Sequence, residues 1–230
     1  MEVGIVSHIP RRHWAPLLLA GAAACSQAAH PPGTPAPQSR PSPAPSAAAA
    51  QADSVRRAYT AADVAFMSHM IAHHAQAIAM AGWAPTHAAS PSVDRLAERI
   101  VNAQQDEIAT MQRWLRARNL PVPEPDPAGM RMKMDGVEHV MLMPGMLTPD
   151  QMKQLGAAQG PEFDRLFLTF MIQHHQGALT MVQQLFGTAG AAQEQTIFKF
   201  ASDVNVDQTT EVARMQRMLA AMPPETRSSQ

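Results

Sequence analysis

The sequence predicts an all-α protein, a four-helix bundle built from a duplicated helical hairpin. Three observations carry that prediction. The segment "FMSHMIAHHAQAIAM", beginning at Phe66, returns as "FLTFMIQHHQGALTM" at Phe167, and "QQDEIATMQRWL" from Gln104 returns as "QTTEVARMQRML" from Gln208. Capping signals bound four long segments. The composition is rich in Ala, Gln and Met and poor in aromatic residues, which favours helix over sheet.

The N-terminal region, residues 1–25, reads as an export signal. Arg11 and Arg12 precede the apolar run "WAPLLLAGAAAC", which is too short for a permanent membrane helix. Two processing routes fit. Ala22 and Ala24 suit ordinary cleavage, while Cys25 suits acylation as a lipoprotein, although the usual leucine three residues earlier is Ala22. Arg11-Arg12 is also a loose match to a twin-arginine signal. With Cys25 lipidated or removed, neither a disulfide nor a thiolate ligand remains. Residues 26–57 are dominated by Pro, Ala and Ser and are expected to form a disordered tether. A formal net charge of −1 with no basic cluster argues against nucleic-acid capture. The expected location is therefore periplasmic or cell-surface, with membrane contact only through a lipid anchor.

The bundle is expected over residues 58–223, with repeats at 60–118 and 161–222, a Met-rich connector at 119–160 and a disordered tail at 224–230. Thr60 and Asp63 form a capping-box pattern opening a helix from about Ala61 to Ala81, closed by Gly82 and Pro85. Ser90-Pro91 opens the second helix, and Leu120-Pro121 closes it. Pro161 opens the third, ended by Gly187. The fourth is expected from about Ala191 to Ala221, before Pro223-Pro224. In the connector, Thr148-Pro149 predicts a short capped helix.

Helical spacing places Phe66, Met70, His73, Ala77 and Met80 on one seam, and Phe167, Met171, His174, Ala178 and Met181 on its counterpart. His74 and His175 fall on flanking apolar lines, so all four histidines are expected to face inward. A lone core histidine is usually satisfied by a hydrogen bond. Four together are costly, because each unsatisfied buried group costs about 1–3 kcal/mol. A metal ion satisfies the acceptor nitrogens jointly.

Neither the Glu-x-x-His signature of di-iron bundles nor the H-E-x-x-H signature of zinc proteases occurs. The accompanying residues are thioethers: Met70 and Met171 one turn before the second histidines, Met80 and Met181 two turns after the first. Imidazole with soft thioether points to copper, Cu(I) above all, and by the same softness to Ag(I); plain core filling is the competing account of each methionine. His69 could add a ligand, but its counterpart is Phe170. Glu107 and Glu211 sit beside Gln104 and Gln208 on otherwise apolar stripes and are expected to hold ligand histidines by hydrogen bonds; direct ligation of a harder metal is the rival. The connector adds Met130, Met132 and Met134, then Met141, Met143 and Met146, with His139 between them. It reads equally as an auxiliary soft-metal site or as an apolar lid.

The stretches "FMSHMIAHHAQAIAMA", "AQQDEIATMQRWL", "PGMLTPDQM" and "EFDRLFLTFMIQHHQGALTMV" resemble the family known as domain of unknown function 305, and the likeness runs from Tyr59 to Met222. The resemblance implies a ferritin-like bundle exported in bacteria. The family includes CopM-like periplasmic copper-binding proteins, which implies a part in copper tolerance. It carries a metal role onto Met70, His73, His74, Met171, His174 and His175; Phe170 departs from the pattern. The expected function is an exported, non-enzymatic copper-binding protein that sequesters or relays Cu(I)/Cu(II), with another exported copper-handling protein as candidate partner. The alternatives are a metal- or haem-dependent redox enzyme on the same bundle and a structural bundle without metal. No nucleophile triad, phosphate loop or nucleotide fingerprint occurs.

Overall fold

A computed structural model describes residues 59–224. The predicted export signal, the lipidation site at Cys25, the tether and all but the first residue of the predicted tail lie outside the described residues.

Four long helices dominate the chain: α1 (Ala61–Ala81), α3 (Pro91–Arg116), α5 (Gly160–Gly187) and α6 (Gln195–Ala220). Two short helices, α2 (Ala84–His87) and α4 (Pro149–Ala157), and one hairpin of β1 (Met130–Met134) and β2 (Val137–Met141) complete it. The predicted caps operate as local chemistry requires. Thr60 Oγ1 accepts from the Asp63 N–H at 3.2 Å, and the Asp63 carboxylate accepts from the Thr60 N–H at 2.7 Å. Thr148 and Gln151 form the same box at the start of α4.

Two helix ends differ from expectation. Helix α3 stops at Arg116, because the chain turns through Asn119 at φ 55° before Pro121 is reached. Helix α6 begins at Gln195 rather than Ala191. Ala192 sits at φ 54°, and Glu194, whose carboxylate accepts from the Thr196 N–H, is the cap. The hairpin is the larger difference, since the connector was expected to hold no strand. Met130, Met132 and Met134 alternate as a strand demands. Asp135 and Gly136, at φ 52° and 80°, supply the two-residue turn that joins antiparallel strands.

The core is two apolar clusters. One joins Phe66, Met70 and Ile71 of α1 to Met111 and Trp114 of α3, Met181 and Leu185 of α5, and Ile197 and Val204 of α6. The other joins Met80 of α1 to Leu96 and Ile100 of α3, Phe163, Phe167 and Met171 of α5, and Met215 of α6. The start of α1 thus meets the ends of α3 and α5 and the start of α6. Helices α3 and α5 therefore run in the same direction, and the connector between them must cross the length of the bundle. Leu120 and Val122 pack on the first cluster, Leu147 and Leu155 belong to the second.

Polar contacts fix that crossing. The buried Gln76 amide donates to the Pro127 and Leu147 carbonyls at 3.0 and 3.1 Å and accepts from the Leu147 N–H at 2.6 Å. Two buried aspartates tie the helix pairs to each other. Asp63 of α1 accepts from the Ala192 N–H in the α5–α6 link at 2.7 Å. Asp164 of α5 accepts from the Ala89 and Ser90 N–H groups in the α1–α3 link at 3.2 and 2.9 Å. Among the described residues no helix is long and apolar enough to cross a membrane.

Candidate metal centre

His73, His74, His174 and His175 lie on the central turns of α1 and α5, at the level where the two apolar clusters divide. All four are fully buried. The helical phase read from the sequence therefore holds: adjacent histidines on one helix are 100° apart, so one of each pair faces the partner helix and the other faces a flank. The His73 and His174 rings meet face to tilted face, with centroids 3.8 Å apart and planes at 36°. His74 turns to α3, where its Nε2 is 2.6 Å from the Glu107 carboxylate; the nitrogen lies out of hydrogen-bond alignment, so the contact is electrostatic. His175 turns to α6 and donates from Nε2 to Glu211 at 2.7 Å. Glu107 and Glu211 are mostly covered but reach solvent.

One partner of the layer comes from the connector. The Pro144 carbonyl accepts from His73 Nε2 at 3.0 Å. A carbonyl only accepts, so the proton sits on Nε2 and Nδ1 keeps its lone pair. Burial, reinforced by repulsion from the neighbouring His74, lowers the His73 pKa to about 3. Burial and the three surrounding histidines hold His174 well below the ordinary imidazole value. Both rings are therefore neutral at physiological pH, the form that ligates metals. Nδ1 of all four histidines has no hydrogen-bond partner, nor has His174 Nε2. Orphaned imidazole nitrogens in a dry interior are what a metal ion would satisfy. Among the described residues no three His, Cys, Asp or Glu side chains converge as a ready cage. A site built here therefore draws on donors of another kind.

Buried thioethers flank the histidines. Met70 and Met181 belong to one apolar cluster and Met80 and Met171 to the other, all buried, so sulfur lies on both sides of the histidine layer. Met70 and Met171 are one helical turn from their own histidine pairs. His69 is half-buried and lines a cleft of about 180 Å³ with Met143, Pro144 and Met181. Burial lowers its pKa too. Met130 and Met132 stand on the hairpin. Gln104 and Gln208 are buried on the stripes where the sequence placed them. With Glu107, Asp207 and Glu211 they line a cleft of about 510 Å³ between α3 and α6. Burial and repulsion from Glu107 and Glu211 raise the Asp207 pKa.

The Pro144 carbonyl was not legible as a site group. A hint existed in Gly177, whose counterpart in α1 is Gln76. A Cβ on Gly177 would meet the Pro144 carbonyl oxygen at 1.9 Å, so glycine there admits the connector to the histidine layer.

Fold and site together define an antiparallel helical bundle with an inward histidine layer at mid-height. The chain belongs to the family described as Domain of unknown function (DUF305), which it matches over residues 63–219. It is similar to a DUF305 protein from Streptomyces coelicolor, with 30% identity, 69% of this chain and 91% of that one covered, and a TM-score of 0.55. A DUF305 fragment from Deinococcus radiodurans shares 25% identity, with 71% and 99% coverage and a TM-score of 0.58. CopM in its Cu(I)-bound form shares 28% identity, with 71% and 97% coverage and a TM-score of 0.52. CopM has also been solved in Cu(II)-bound and Ag-bound forms. No curated protein matches the chain.

Proposed function

We propose that this protein is an exported copper-binding protein that sequesters or relays the ion without chemical turnover. The observation that carries the reading is the layer of four buried histidines whose Nδ1 atoms lack partners. His73, His74, His174 and His175 supply imidazole nitrogens, and Met70, Met80, Met171 and Met181 supply thioether sulfur from either side. That mixture favours Cu(I), with Ag(I) as its laboratory equivalent. Glu107 and Glu211 orient His74 and His175, as carboxylates behind ligand histidines do. The similarity to CopM, solved with Cu(I), Cu(II) and Ag, supports an ion of the copper class. Export agrees with the N-terminal sequence.

The test is Cu(I) titration of the protein against a chromophoric chelator. Saturable binding tighter than about micromolar is expected, and H73L/H174L should abolish it while far-UV circular dichroism stays unchanged. Unchanged affinity in that variant would place the ion elsewhere. Oxidation or peroxide turnover by the copper-loaded protein would favour the redox enzyme instead.

A further inference from the structure

The β1–β2 hairpin gathers soft donors that the bundle does not need. Directly opposed residues on antiparallel strands present their side chains on one face. The register opposes Met130 to Met141 and Met132 to His139. These four therefore share a face, while Arg131, Lys133, Glu138 and Val140 occupy the other. Opposed Cβ atoms on such a face are roughly 4.5–5.5 Å apart, and diagonal ones not much farther. Three flexible thioethers and an imidazole at that spacing can close around one ion.

Packing explains only half of this face. Met130 and Met141, at the root of the hairpin, pack against the first apolar cluster. Met132 and His139, farther out, are exposed, Met132 by 36%. A lid over the bundle would need the root pair alone. The opposite face is held without any ion: Arg131 pairs with Asp126 at 2.9 Å and lies 3.9 Å from Glu138. Gln76 pins the chain on both sides of the hairpin, at Pro127 and Leu147. The donors thus sit on a ribbon already in register.

We propose that this face is a second, surface soft-metal site, taking a monovalent ion of the Cu(I) or Ag(I) class through the sulfurs of Met130, Met132 and Met141 and a ring nitrogen of His139. Thioether donors discriminate against hard cations, and the lack of any carboxylate on this face does the same. The site shares no ligand with the histidine layer and stands whether or not that layer binds metal. Strand β2 leads within three residues to Pro144, whose carbonyl meets His73, so one stretch of chain touches both sites.

The experiment is Ag(I) titration of the full chain with methyl-¹³C methionine, followed by NMR. The Met130, Met132 and Met141 methyl signals should shift together and should still do so in H73L/H174L. M132L/H139L, altered only at exposed positions, should bind one equivalent less and lose those shifts. Zn(II) should leave them in place. Methyl signals unmoved at saturating Ag(I), an unchanged stoichiometry in M132L/H139L, or a response to Zn(II) alone would each overturn the site.

Discussion

In the α1/α3 hairpin, His73 gives its Nε2 proton to the Pro144 carbonyl; in the α5/α6 hairpin, His174 at the matched position has no partner on either nitrogen. The flanking histidines agree better, each meeting a glutamate within 2.7 Å, though only His175 is aligned for a hydrogen bond. Three residues beyond the first histidine of each pair the halves part again. Gln76 grips the connector with its amide, whereas Gly177 yields space to it. One connector can dock on the layer from only one side, so two similar hairpins acquire different inner rings. His73 is fixed in tautomer and direction. His174 has no connector carbonyl to set its tautomer in the same way.

Acid should produce the largest effect, and it acts on the feature both halves share. His73 titrates near 6.5 when unfolded and at about 3 in the native protein, and His174 is shifted in the same direction. Between those values the unfolded chain binds protons that the native state excludes. Metal-free stability is therefore full above about 6.5 and falls as pH drops towards 3. Urea midpoints across that window should decline steeply, and H73L/H174L should flatten the decline.

Gly177→Ala attacks the asymmetry itself. The added carbon would sit 1.9 Å from the Pro144 oxygen, so the connector must move. A loss of about 1–3 kcal/mol is expected from thermal or denaturant unfolding. Cu(I) affinity should change as well, because His73 loses the group that sets its tautomer. Unaltered melting would show that the connector is not seated on α5.

The single leucine variants sharpen the contrast further. His73→Leu removes the imidazole donor of the Pro144 carbonyl and should destabilise the metal-free protein by about 1 kcal/mol. His174→Leu removes two unpaired nitrogens and should be neutral or stabilising. Equal effects from the two variants would erase the proposed difference between the rings.

The smallest effect is expected from His69→Phe, which gives α1 the residue that α5 carries at Phe170. A half-buried side chain outside the layer should change stability by less than about 0.5 kcal/mol. A marked loss of bound Cu(I) in that variant would enlist His69, with Met143 and Met181 beside it, as part of the buried site.

Local signals made the four long helices and their inward stripe legible. The capping box at Thr60, the proline at position 91 and the 3.6-residue spacing of His73 and His74 each act within a turn or two of chain. The burial of Gln104 and Gln208, and the placing of Glu107 and Glu211 behind the histidines, followed from the same phase. What stayed hidden depends on contacts between distant residues. Nothing near Pro144 announces that its carbonyl meets His73, and nothing near Gln76 shows that its amide holds Leu147. The hairpin is a different case. Alternating methionines followed by Asp135-Gly136 form a legible strand–turn pattern, masked by the unusual methionine content. At the start of α6 the helix-forming alanines Ala191 and Ala192 were outweighed by a tertiary tie, because Asp63 holds the Ala192 N–H in a left-handed turn.

The crossed aspartates have a consequence for how the molecule comes together. Asp63 fastens the link of the later hairpin and Asp164 fastens that of the earlier one. Each hairpin's link donates to a carboxylate that the other hairpin supplies. Assembly is thus a mutual handshake rather than a relay, and a chain stopped after α3 would leave Asp63 with its local Thr60 cap alone and no Ala192 N–H to accept from.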